Sequence, residues 1–140
     1  MTNINQLTHF PDGTPIDPWF TDLTVPKETD PERRYVLQEH GILPDGTVQT
    51  QALQNLIDQI AENGGGTLVV ADGTFLSGAL YFRQGVNLEI AKNGVLQGST
   101  DITDYPLCYT RIEGEACFYF PALVNVLCVD GFSITGEGVL

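Results

Sequence analysis

Basic residues are scarce in this chain. Only 6 Lys and Arg stand against 18 Asp and Glu in 140 residues, a formal net charge of −12. Nothing here would neutralise a run of phosphates, which excludes nucleic-acid binding and a polybasic membrane-surface role. Cysteine is also sparse: Cys108, Cys117 and Cys128 form no CxxC pair and no metal-spaced cluster. An odd number does not close into a disulfide framework, so free, buried thiols are expected, with no bound metal and no cofactor. The only histidines are His9 and His40, and neither has a Ser, Cys or Asp at a catalytic spacing. No stretch approaches the roughly 20 apolar residues of a membrane span. The start, MTNINQLTHFPDG, lacks the basic beginning and apolar stretch of a signal peptide. The expectation is a cytoplasmic protein without membrane contact.

The abundant residues point elsewhere. At 42% hydrophobic and 17% charged, the chain is too apolar for a disordered acidic tail. Its 15 Gly and 8 Pro suit short strands and turns. Residues 1–34 hold five of the prolines (Pro11, Pro15, Pro18, Pro26 and Pro31), which rule out a continuous helix or central strand there. Phe10, Ile16, Trp19 and Phe20 are too apolar for a free linker, so this segment reads as an extended arm. TDPERR at 29–34 reads as a solvated, charged turn.

Helical periodicity is concentrated in 47–64, where Ala52, Leu53, Leu56, Ile57, Ile60 and Ala61 line one face. Thr47 or Thr50 is the expected cap, and Gly64 the left-handed terminator. The glycines 64–66 follow the helix and precede a strand, the reverse of a phosphate cradle, so they read as a turn. From 67 onward short strands are expected at TLVVA (67–71), GALYF (78–82), VNLEI (86–90), VLQG (95–98), NVLCV (125–129) and FSIT (132–135). No helix separates them, which excludes a doubly wound sheet.

Self-similarity narrows the all-β options. NLEIAKNGVL (87–96) aligns without gaps on GFSITGEGVL (131–140), so that Leu88 meets Phe132 and Ile90 meets Ile134. A weaker echo, LVVADGTF (68–75), lies about 20 residues earlier. A repeat near 20 residues is what a coil of a parallel β-helix needs, each inward side chain stacking on its equivalent in the next coil. The offset of 44 between Leu88 and Phe132 is then two coils, or one coil with the loop at 99–118 inserted. Asp101 and Asp104 lack the EF-hand spacing and read as turn caps, like Asp45-Gly46 and Asp72-Gly73.

DGTVQTQALQNLIDQIAENGGGTLVVADGTFLSGALYF (45–82) resembles the start of glycoside hydrolase family 28, and VNLEIAKNGVLQGSTDITDYP (86–106) continues the likeness. So do TRIEG (110–114), FPALVN (120–125) and GFSITGEGVL (131–140), while PDGTPIDPWF (11–20) resembles the leader of bacterial members. The resemblance implies an all-β, right-handed parallel β-helix of the pectin-lyase-like fold. It would comprise an extended N-terminal arm at 1–34 and, over 35–140, a capping α-helix with the first coils of a domain that continues past Leu140. It further implies inverting hydrolysis of pectic, galacturonic-acid-containing poly- or oligosaccharides by a spaced pair of carboxylates. The family motifs of the type NTD, DD, GHG and RIK that supply them do not occur here; Arg111-Ile112 is followed by Glu113. No catalytic residue is therefore assigned. YPLCYTRIEG (105–114) is an insertion in the coil, and loops on a solenoid tend to shape its binding face. An arginine beside aromatics suits a sugar carboxylate. This makes Arg111, Glu113 and Tyr109 candidate substrate contacts, against the alternative of an Arg111–Glu113 pair that ties the loop down. Self-association through the open end of the β-helix is a further expectation.

Overall fold

The structure, a computed structural model, describes residues 8–17, 20 and 33–140. It is built mostly of strands with one α-helix. Strand β1 (Arg34–Val36) leads to the helix α1 (Thr50–Glu62), then β2 (Gly66–Val70), β3 (Gly73–Ser77) and β4 (Leu80–Phe82). A second round follows with β5 (Val86–Ile90) and β6 (Gly94–Gly98). After an antiparallel hairpin of β7 (Cys108–Ile112) and β8 (Glu115–Tyr119) comes β9 (Val124–Val126), and β10 (Ile134–Thr135) opens a third round.

These rounds stack strand on strand, in parallel. The first stack runs β1-β2-β5-β10, the second pairs β3 with β6, and the third pairs β4 with β9. Leu68 lies beside Leu88, an offset of 20, and Phe75 beside Leu96, an offset of 21. Leu80 lies beside Val124, an offset of 44, because the hairpin is inserted between β6 and β9. The long offset is therefore one coil with an insertion rather than two coils.

The alignment of Leu88 with Phe132 is corrected by two residues. Leu88 pairs with Ile134, an offset of 46, whereas Val95 bridges to Val139, an offset of 44. The corner that takes Ala91, Lys92 and Asn93 in the second round has a single residue, Glu137, between Gly136 and Gly138 in the third. Gly136 turns it with φ of +107°, and the Gly138 N–H donates to the Ile90 carbonyl at 2.9 Å. A two-residue slip preserves which face a side chain points to, so hydrophobic pattern alone does not detect it. Phe132 instead packs its ring on Phe82, centroids 5.0 Å apart.

Helix α1 begins at Thr50, but neither candidate threonine caps it. Gln49 holds the N-cap position without a side-chain cap bond. Thr47 Oγ1 donates to Asp45 at 2.7 Å, and Thr50 Oγ1 accepts the Gly78 N–H at 2.7 Å. Its buried face is Leu53, Leu56, Ile57 and Ile60; Ala52 is exposed. Gly64 ends it with φ of +91°, its N–H bonded to the Ala61 carbonyl at 3.0 Å, as expected of that position. Arg33 Nη1 reaches the Asn63 and Gly64 carbonyls at 3.1 and 3.2 Å, where the helix dipole favours a cation.

The helix and its lead-in segment lie along the upstream strand edges. Val48 bridges to Leu76 in β3, and the Gln49 N–H donates to the Leu76 carbonyl at 2.9 Å. The Gln54 carboxamide takes the place of a strand beside β4: Oε1 accepts the Tyr81 N–H at 2.8 Å and Nε2 donates to the Tyr81 carbonyl at 2.9 Å. Edge groups that a neighbouring strand would satisfy are thus satisfied by one side chain. Gln84 repeats the device on Asp130, accepting its N–H at 2.8 Å and donating to its carbonyl at 3.1 Å.

The core is the column enclosed by the stacks and the apolar face of α1. Leu53, Ile57, Leu68, Phe75, Leu88 and Leu96 are among its buried members. Ser77 occupies an inward position in β3 with a buried hydroxyl.

Other expectations are modified. All three cysteines are free, but none is buried: Cys108 and Cys117 are half-buried and Cys128 is exposed. In the arm, Trp19 and residues 29–32 lie outside the described residues. Residues 8–17 form a tight hairpin, with the Phe10 N–H on the Thr14 carbonyl at 2.8 Å and the Ile16 N–H on the Thr8 carbonyl at 2.9 Å. Arg34, read as part of a solvated turn, begins β1 and pairs with Glu89 two coils away.

Candidate functional site

Tyr109 and Arg111 lie in β7, and Glu113 in the turn that follows. Glu113 and Gly114 have φ of +51° and +90°, the two left-handed positions of a two-residue hairpin turn. An asparagine or aspartate would adopt the first position more readily than glutamate, so the local signal for a turn is weak. The register sets Tyr109 opposite Phe118, Arg111 opposite Ala116, and Cys108 opposite Tyr119.

Alternate residues of a strand share a face. One face therefore carries Tyr109, Arg111, Ala116 and Phe118, all exposed. On the other, Cys108, Thr110 and Cys117 are half-buried. Burial pushes the Tyr81 hydroxyl to a raised pKa, and the neighbouring Cys108 thiol adds to the rise. This second face therefore turns towards the coil, and the first turns away from it.

On the outward face the rings of Tyr109 and Phe118 meet edge to face, centroids 5.4 Å apart, yet remain 70% and 68% exposed. Arg111 Nη2 donates to the Gly114 carbonyl at 3.0 Å, bracing the turn. Among the described residues Arg111 has no carboxylate partner, so the expected alternative of an Arg111–Glu113 pair is not what the structure shows. Two of the three candidates, Tyr109 and Arg111, share a face, and Glu113 sits beyond it in the turn. Phe118 was not singled out because it lies past the turn, in a segment whose alternation is partly masked by Ala116 and Cys117.

Several other titratable groups have structural roles. Asp101 caps the short helical turn Ile102–Asp104, accepting from the Thr103 N–H at 2.9 Å and hydroxyl at 2.7 Å. Hydrogen bonds from Thr103 hold the Asp101 pKa below the ordinary aspartate value, and those from Thr47 do the same for Asp45. At Asp58 partial burial acts upward, but hydrogen bonds from Arg83 and Gln54 outweigh it and leave the pKa lowered. His40 is exposed and packs on Tyr35, ring centroids 5.6 Å apart. Among the described residues no group of three His, Cys, Asp or Glu could hold a metal ion. No described helix is long and apolar enough to cross a membrane.

No protein-family model and no curated protein sequence matches the chain. Solved structures do. A hyperthermoactive exopolygalacturonase from Thermotoga maritima is similar over 81% of this chain and 26% of its own, with 28% identity and a TM-score of 0.71. A candidate glycosyl hydrolase from Parabacteroides merdae is similar over 76% of this chain and 45% of its own, at 26% identity and a TM-score of 0.64. The family 28 exopolygalacturonase of Yersinia enterocolitica is similar over 74% of this chain and 20% of its own, at 25% identity and a TM-score of 0.64. The chain thus spans less than half the length of each. By these likenesses to two exopolygalacturonases, the chain is similar to part of a family 28, polygalacturonase-like glycoside hydrolase.

Proposed function

We propose that the chain is the N-terminal part of a polygalacturonase-like glycoside hydrolase that acts on pectic, galacturonic-acid-containing poly- or oligosaccharides by inverting hydrolysis. The observation that carries this reading is the likeness to the Thermotoga maritima exopolygalacturonase over 81% of the chain. The winding is taken as right-handed, the hand of nearly all crossovers between parallel strands. Residues 1–34 are the arm; residues 35–140 are the cap and first coils. Helix α1 acts as the cap, its apolar face closing the first coil while Gln54 and Val48 occupy strand edges that would otherwise invite pairing.

The catalytic carboxylates are assigned to coils outside these residues. An inverting pair needs two carboxyl groups roughly 6.5–9.5 Å apart, one of them with a raised pKa. The aspartates with resolved shifts here are all lowered, and hydrogen bonds that stabilise the charged form lower each of them. Asp12, Asp45 and Asp101 hold turns and Asp58 pairs with Arg83, roles that suit the charged form rather than proton donation. The role of this chain is to start the coil and to present the Tyr109 and Arg111 face of the hairpin to substrate; Glu113, the third sequence candidate, sits in the turn beyond that face. Incubated with polygalacturonate, the purified 140-residue chain is expected to release no reducing ends above a buffer control. Steady release, abolished by boiling, would overturn this division of labour.

A second reading has support in one feature. Ile134, Val139 and Leu140 are 48–58% exposed on the third round, an apolar edge suited to self-association.

A further inference from the structure

The outward face of the β7–β8 hairpin combines three properties that solvated hairpins rarely share. Its two largest side chains, Tyr109 and Phe118, are aromatic, adjacent and more than two-thirds exposed. Its one charged side chain is a cation, Arg111, opposite a small residue, Ala116. The nearby acids are elsewhere: Glu113 is in the turn, and Glu115, paired with Ile112, belongs to the opposite face.

Arg111 also differs from the other described arginines. Arg34 and Arg83 are paired with Glu89 and Asp58, and Arg33 spans the end of α1. The Arg111 guanidinium is anchored by the Gly114 carbonyl and, among the described residues, pairs with no carboxylate, in a chain of net charge −12. A planar fork of donors fits a carboxylate in two-point fashion. Tyr109 and Arg111 are two residues apart along the strand, roughly 7 Å between Cα atoms, within reach of one ligand for a long side chain.

We propose that this face is a docking platform for a uronic-acid residue of a glycan. The Tyr109–Phe118 pair takes the apolar face of the pyranose ring, Arg111 takes its carboxylate, and Glu113 makes no contact. The inference rests on the pectic reading above and sharpens it: Phe118 joins the site and Glu113 leaves it. Carboxylate recognition is what separates a uronic-acid ligand from a neutral sugar of the same shape, which could use only the rings.

The test is a residue-resolved amide spectrum of the isotope-labelled chain, titrated with trigalacturonate and separately with neutral galactotriose. Trigalacturonate is expected to shift the amides of Tyr109, Arg111 and Phe118. Arg111→Gln should weaken its binding about tenfold, the scale of one charge-assisted hydrogen bond, and leave galactotriose unaffected. Phe118→Ala should weaken both sugars, and Glu113→Gln neither. All these side chains are exposed, so the substitutions leave no cavity in the core, and an unchanged amide spectrum away from the hairpin checks that each variant is folded. Shifts confined to the coil would overturn the platform and leave the pectic reading standing. Equal binding of both sugars at the hairpin, insensitive to Arg111→Gln, would overturn the uronic-acid assignment and count against the pectic reading. Absence of shifts at the hairpin with either sugar would remove the site.

Discussion

Leu88→Ala is expected to lower the free energy of unfolding by about 3–5 kcal/mol. Leu88 has 0% exposure and occupies the middle of a ladder, between Leu68 on one side and Ile134 on the other. Its backbone is fixed by parallel pairing on both sides, so the space left by the missing atoms cannot close by moving β5. The cost is therefore the lost transfer energy plus most of a cavity term. Urea unfolding followed by circular dichroism checks it: the midpoint should fall with the slope unchanged. Ile134→Ala makes the internal comparison. Ile134 is 48% exposed, so its truncation should cost less than half as much. Equal costs would contradict the placement of Ile134 on the open side of the ladder.

The second large effect comes from a residue with no side chain. Gly94 starts β6, where a Cβ would run into the Val70 carbonyl oxygen and lie 2.9 Å from its carbon and 3.2 Å from the Ala91 oxygen. Its φ is not in the left-handed region, so the demand is for space rather than for glycine's conformational freedom. Neither oxygen can withdraw: Val70 O accepts the Ala91 N–H at 2.9 Å, and Ala91 O accepts the N–H of Gly94 itself at 2.7 Å. Gly94→Ala must move backbone between two coils, at a cost of about 3 kcal/mol. Gly46→Ala serves as control, because Gly46 has φ of +80° but nothing within 4 Å of an added Cβ. It should cost about 1 kcal/mol, from conformation alone. A thermal melt ranking Gly46→Ala as the more damaging of the two would contradict the close approach of the coils.

Much of this architecture is legible in the sequence, and the exceptions have physical causes. α1 was found from Leu53, Leu56, Ile57 and Ile60, because one face of it is apolar and the other polar. β5 was found with its observed ends, Val86 and Ile90, because alternation is complete there. β3 was missed: Ser77 fills one of its inward positions, and Gly73 starts it, so the apolar alternation is reduced to Phe75. β1 carries no strand signal because it is three residues long and begins with Arg34, next to Arg33; Arg34 is held by Glu89 two coils away. The threonine caps were wrong for a tertiary reason. Thr50 satisfies Gly78, 28 residues on, a bond that local sequence does not announce, whereas Thr47 is taken by the local turn of Asp45.

The candidate site was half legible. Arg111 and Tyr109 are joined on one face by strand periodicity, but within the inserted loop at 99–118 the candidate contacts are confined to 105–114. The partner strand, and Phe118 with it, follows that stretch in the same loop. Pairing across a two-residue turn is a register property, visible only once Ile112 is set against Glu115. Glu113 looked equivalent to Arg111 in sequence because both flank Ile112. The left-handed turn takes it off the face.

The account as a whole rests on these coils being the beginning of a longer β-helix whose later coils carry the chemistry. The most direct measurement is the sequence of the natural transcript beyond the codon for Leu140. The account predicts an open frame that continues into a DG turn and further coils, carrying motifs of the type NTD, DD, GHG and RIK. A stop codon directly after Leu140 would contradict it.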